Sequence, residues 1–139
     1  MSIIKVNYGD VGGGGEASGS FTSSDIVNKS ITIQTGLSQV KRFYFVGTIS
    51  NAPTDYGVTI LYDDSGIDGT GTKQCVDTVY YNGATSQDAS QSILTKNNYI
   101  TSATQCAYVS DITNGNVTIK TGSSGTWYQL SGTWYAYDH

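Results

Sequence analysis

Three carboxylates gather in the stretch DDSGIDGTG at positions 63–71, where Asp63, Asp64 and Asp68 sit among glycines. Calcium loops are built from such residues, but this spacing is not that of an EF-hand, which closes on a bidentate acid at its twelfth position. Asp and Gly also make ordinary turns. No metal is expected, and these three aspartates are the nearest approach to a calcium site. Acid–base catalysis has even less to work with. The one histidine is His139, the one glutamate is Glu16 in a glycine-rich stretch, and no G-x-S-x-G or metal-ligand spacing occurs. Two aspartates suffice in principle for glycoside hydrolysis, drawn from Asp63, Asp64, Asp77 and Asp111. A solvent-facing Asp on a strand is the plainer reading of the last two. The expectation is therefore a protein that is not an enzyme, with no catalytic residue and no cofactor.

Charge narrows the partners. Seven basic residues against eleven acidic ones give a net charge of −4, and only Arg42 is an arginine. That balance lacks the basic footprint of nucleic-acid binding, and Lys41-Arg42 reads as a solvated start of a strand. The opening MSIIKVNYGD has no charged region ahead of an apolar run, and no stretch has the length of a membrane span. Synthesis in a cytoplasm is expected, so Cys75 and Cys106 read as two buried thiols rather than a disulfide.

Aromatic residues are the distinctive chemistry. The chain has 11 Tyr, 18 Thr, 17 Ser and 17 Gly, against seven Ala, four Leu and a single Glu. Threonine and tyrosine suit a pleated, half-buried surface, and glycine and serine punctuate turns. Tyr44, Tyr62, Tyr80, Tyr81, Tyr108, Tyr128, Tyr135 and Tyr137 all fall in strand-like segments. Each ring can pack while its hydroxyl stays wet, which serves sheet faces, subunit interfaces and saccharide contacts alike. The tetrapeptide GTWY occurs twice, at Gly125–Tyr128 and Gly132–Tyr135.

The elements that must hold these rings are short strands. Residues 2–8 (SIIKVNY) form an alternating arm with Ile3, Ile4, Val6 and Tyr8. GDVGGGGEASGS (9–20), with six glycines, costs too much backbone entropy for a regular element and reads as a tether. The division is an arm and tether over 1–16 and a body over 17–139. In the body, SITIQT (30–35) alternates, and VKRFYFVGTIS (40–50) is apolar on both faces around Phe43 to Val46. YGVTILYDD (56–64) and KQCVDTVYYNG (73–83) follow. Residues 84–98 read as a loop with one weak helical turn. Asn114-Gly115 predicts a type I′ hairpin between CAYVSDIT and NVTIKT, and Ser131-Gly132 predicts a second between the two GTWY copies. About nine short strands without intervening helices mean an antiparallel β-sandwich, jelly-roll or lectin-like.

Two stretches carry a resemblance. MSIIKVNYGDVGGGGEASGSF with ITIQTGLSQVKRFYF, and the ending GTWYAYD, are similar to small tail-region proteins of phages and prophages of Firmicutes. The ending also resembles tail-fibre tip and H-type-lectin-like domains, whose last strand carries an aromatic-x-aromatic pattern. The resemblance implies a virion or tail-associated β-sandwich that binds rather than catalyses. It also implies a homo-oligomer, with a trimer favoured, and a virion location after synthesis in the host cytoplasm. The arm would attach to other virion proteins, and the body would meet a cell-surface glycan or receptor. No His/Arg/Asp sugar triad is present to name that glycan. A carbohydrate-binding module using exposed Tyr and Trp is the alternative. In the second hairpin, the tryptophan side is expected in the core. The tyrosine side (Tyr128, Tyr135, Tyr137, with Leu130) is expected to face a subunit or ligand.

Overall fold

Alternation of apolar and polar residues is the rule that builds this molecule. In the computed structural model, residues 14–22, 30–51, 54–67, 69, 71–82, 86–96, 107–121 and 129–139 are described. They form β1 (Glu16–Phe21), β2 (Ser30–Gln34), β3 (Arg42–Asn51), β4 (Thr54–Asp63), β5 (Thr72–Asn82), β6 (Ser86–Lys96), β7 (Ala107–Thr113), β8 (Asn116–Thr121) and β9 (Gln129–Tyr137). No helix occurs among the described residues. All pairings are antiparallel. One sheet runs β1-β9-β3-β4-β5-β6 and the other β2-β8-β7. The fold is an all-β, antiparallel sandwich.

The core lies between the sheets. The large sheet contributes Phe21, Phe43, Phe45, Val58, Ile60, Val76, Leu130 and Trp134, and the small one Ile31, Ile33, Val109, Val117 and Ile119. These positions are spaced by two along each strand, as one buried face requires. Gln74 is the polar exception. It is fully buried on β5, and its amide reaches the other sheet, where Nε2 donates to Val109 O at 2.9 Å and Oε1 accepts from Val109 N at 3.0 Å. Val109 stands on the outer strand of the small sheet, at a register shift between Val109 and Asp111. A single side chain there replaces the missing neighbouring strand.

Several sequence expectations meet a different structure. The supposed hairpin at 125–138 does not form: β9 runs straight through Ser131-Gly132 and is inserted between β1 and β3. Gly132 faces Gly47 across the β3–β9 ladder. A Cβ at Gly132 would collide with Val46 O and would lie 2.6 Å from the Phe45 ring. The glycine is there for close approach, and Phe21 and Phe45 stack over the gap with centroids 5.3 Å apart. The tether is also shorter than expected, because β1 begins at Glu16 within it. Gly19 lies opposite Trp134, whose indole would be 2.7 Å from an added Cβ. An aromatic ring covering a strand glycine makes a glycine-bearing edge strand tolerable.

Residues 86–96 form β6 rather than a loop, pairing with β5 over most of their length at the margin of the sheet. The ladder overrides the weak local preference of a Ser/Gln-rich segment. The Asn114-Gly115 hairpin exists, but only Asn114 takes a positive φ (55°), so the turn is not type I′. Gly115 is required because its Cα lies against Leu37 O. Its own carbonyl accepts from Thr35 N at 3.1 Å and Thr35 Oγ1 at 2.7 Å. β3 is interior to its sheet, yet it is buried on one face only, with Tyr44 and Val46 pointing outward. The arm Ser2–Tyr8 lies outside the described residues.

Candidate binding surface

The two sheets turn different outer faces to solvent. On the small sheet that face is mainly polar: Thr32 and Thr118 hydroxyls meet at 3.0 Å, Gln34, Asn116 and Lys120 flank them, and the half-buried Tyr108 lies opposite Lys120. The large sheet is different. Four large hydrophobic side chains are exposed among the described residues: Tyr44 (37%), Val46 (42%), Leu61 (47%) and Tyr135 (38%). All four fall on its outer face, because the register places them there. Tyr135 faces Tyr44, Tyr44 faces Leu61, and Leu61 faces Cys75, while Val46 stands two residues along β3 between Thr133 and Thr59. The result is one apolar patch at mid-sheet, with Tyr44 and Tyr135 rings 6.0 Å apart and tilted by 41°.

A charged row borders it. Glu16, Tyr137, Arg42 and Asp63 lie side by side across β1, β9, β3 and β4. Arg42 sits over the Tyr137 ring at 4.8 Å, a cation–π arrangement, and its Nε donates to His139 O at 2.8 Å. Tyr137 and His139 meet edge to face at 6.1 Å. His139 Nδ1 lies 3.1 Å from Asp138 Oδ1, which also accepts from Gly15 N at 2.7 Å. The His139 contact first, and then the Gly15 amide, hold the Asp138 carboxyl below its usual range. These bonds tie the entry of β1 to the end of β9. An open groove lined by Tyr44, Val46, Thr133, Tyr135 and Tyr137 runs over the patch.

Of the expected binding residues, Tyr135 and Tyr137 lie here, and Tyr128 is outside the described residues. The face assignment divides. Trp134 and Ala136 are buried and Tyr135 is exposed, as expected, but Leu130 is in the core and Gln129 faces outward. Removing the turn at 131–132 exchanges the sides of every residue before it relative to those after. Tyr44, Val46, Leu61 and Arg42 were not expected at the site. The period-two alternation within FYFV carried the signal for Tyr44 and Val46, hidden by the uniformly apolar run.

The aspartate loop has local partners. Asp63 Oδ1 accepts from Ser65 N and Ser65 Oγ at 2.9 and 2.6 Å. Asp64 Oδ1 takes Lys73 Nζ at 3.0 Å, with Lys41 Nζ 4.0 Å from Oδ2. The Lys73 hydrogen bond is the main cause of a lowered Asp64 pKa, and the same bond raises that of Lys73. Asp68 lies outside the described residues. Among those described, no three His, Cys, Asp or Glu side chains converge on a metal position. Cys75 is half-buried on β5, and Cys106 lies outside the described residues. Comparison of the chain with family models, curated proteins and solved structures returned no match.

Proposed function

We propose that the protein is a non-enzymatic structural component of a virion or phage tail, and that the outer aromatic face of its large sheet is an assembly contact. The observation carrying this reading is the coalescence of Tyr44, Val46, Leu61 and Tyr135 into one exposed patch, while no large hydrophobic side chain described on the opposite outer face is exposed. A soluble domain scatters single exposed apolar residues. A contiguous patch with a charged rim is the pattern of a surface that becomes covered. Tyrosine suits it because a ring with a wet hydroxyl tolerates the uncovered state. The arm supplies the second contact. Ile3, Ile4, Val6 and Tyr8 precede a glycine run in the sequence, and segments with such alternation can add to sheet edges of neighbouring proteins through main-chain hydrogen bonds.

A carbohydrate-binding role is the second reading, favoured by the tilted Tyr44–Tyr135 pair beside Arg42 and Tyr137. The two are separated by mass spectrometry of particles purified from the source culture together with a glycan array. The assembly reading expects the chain in the particles and no saturable glycan binding. Saturable binding lost in Tyr135→Ala, with no chain in the particles, would establish the second reading instead.

A further inference from the structure

We propose that the occupant of the outer face is a second copy of this chain, related by a two-fold axis, so that two large sheets pack face to face. The inference rests on the assembly reading above and names the partner of that surface. The face has the right size. Six strands about 4.8 Å apart, each about nine residues long at roughly 3.3 Å per residue, present about 800 Å², which is what each partner contributes to a standard stable interface.

It is also complementary to itself. Tyr135, Tyr44, Leu61 and Cys75 form a straight row across four strands. A two-fold axis along that row, at right angles to the strands, keeps the strands of the two sheets aligned, as in face-to-face sheet packing. Each residue of the row then meets its own counterpart, apolar on apolar. Residues two places before the row meet those two places after it on the same strand. On β5 this sets Lys73, whose ammonium also holds Asp64 of its own chain at 3.0 Å, across from Asp77 of the second copy, and Asp77 across from its Lys73. Asp77 is exposed, and its carboxylate makes no ion pair among the described residues. On β3 and β4, Arg42 and Asp63 meet Val46 and Thr59, so no like charges are opposed. An isologous contact needs this matching of a surface with itself.

Sedimentation equilibrium of the full chain should give twice the 14.8 kDa chain mass, with circular dichroism confirming the fold of every variant. Leu61→Lys should leave a folded monomer. Asp77→Lys should weaken the dimer roughly tenfold or more by opposing two lysines. Adding Lys73→Gln to Asp77→Lys removes the opposed lysine without setting a carboxylate against Asp64, and should recover part of the affinity, a recovery that mere surface tolerance cannot produce. A monomer, a trimer, or a dimer indifferent to both Leu61→Lys and Asp77→Lys would overturn the proposal. Should the chain prove monomeric yet be found in particles, the two-fold contact fails and the assembly role stands. Should it prove dimeric yet be absent from particles, the two-fold contact stands and the virion role fails.

Discussion

Trp134 and Tyr135 are adjacent in the chain and opposite in consequence. Trp134 is fully buried, stacked on Phe43 and laid against Gly19. Its Nε1 is buried with no partner among the described residues, so what it contributes is volume. Trp134→Ala should therefore cost about 3–5 kcal/mol in chemical denaturation, and Trp134→Phe distinctly less. Tyr135→Ala, truncating an exposed ring, should leave the unfolding free energy of the dissociated chain within about 0.5 kcal/mol of the parent. Gly19→Ala should destabilise by about 1–3 kcal/mol, because its methyl group meets a packed indole. Gln74→Leu strips Val109 N–H and C=O of their partners in a dry interior, and should cost about 2 kcal/mol or more by the same measurement.

Strand elements show where sequence reading succeeds and where it stops. β2, β3, β4, β5 and the β7–β8 hairpin were legible, because alternation, the apolar run of β3 and one Asn-Gly turn specify them locally. β1, β6 and the continuity of β9 were not. Gly19 and Gly132 carry no local mark distinguishing a turn glycine from one that lets an aromatic ring or a neighbouring backbone come close. That difference exists only once Trp134, Phe21 and Phe45 have their positions. The Ser/Gln-rich β6 is likewise defined by the β5 edge it pairs with. The patch was half legible for the same reason: Tyr135 was marked by the GTWY repeat and Tyr137 by the alternation that continues past it, whereas Tyr44 and Leu61 join them only through register. A truncation series tests the β1 assignment. Deleting residues 1–13 should leave the thermal transition of the body unchanged. Deleting 1–21 removes β1, uncovers Trp134 and the edge of β9, and should abolish or sharply lower the transition.

At the scale of the whole molecule, charge contributes little and the aromatic face contributes much. The Asp64–Lys73 pair is over one-third exposed on both sides, so its worth is about 0–1 kcal/mol after solvent screening. Its pH dependence follows from the two shifts. Asp64 is depressed, so its part is complete above about pH 4 and lost as pH falls through its lower folded value. Lys73 is raised, so its part is complete below about pH 10 and lost as pH rises through its higher folded value. Stability in Asp64→Asn should accordingly differ from the parent across the neutral range and converge with it in acid.

The proposed assembly role requires that one outer face of the sandwich is covered in the working state and the other is not. Hydroxyl-radical footprinting, read by peptide mass spectrometry on the dilute chain and on the assembled one, tests this most directly. Tyr44 and Tyr135 should lose reactivity on assembly, while Tyr108 on the small sheet keeps its own. Protection of Tyr108 with Tyr44 and Tyr135 unchanged would contradict it.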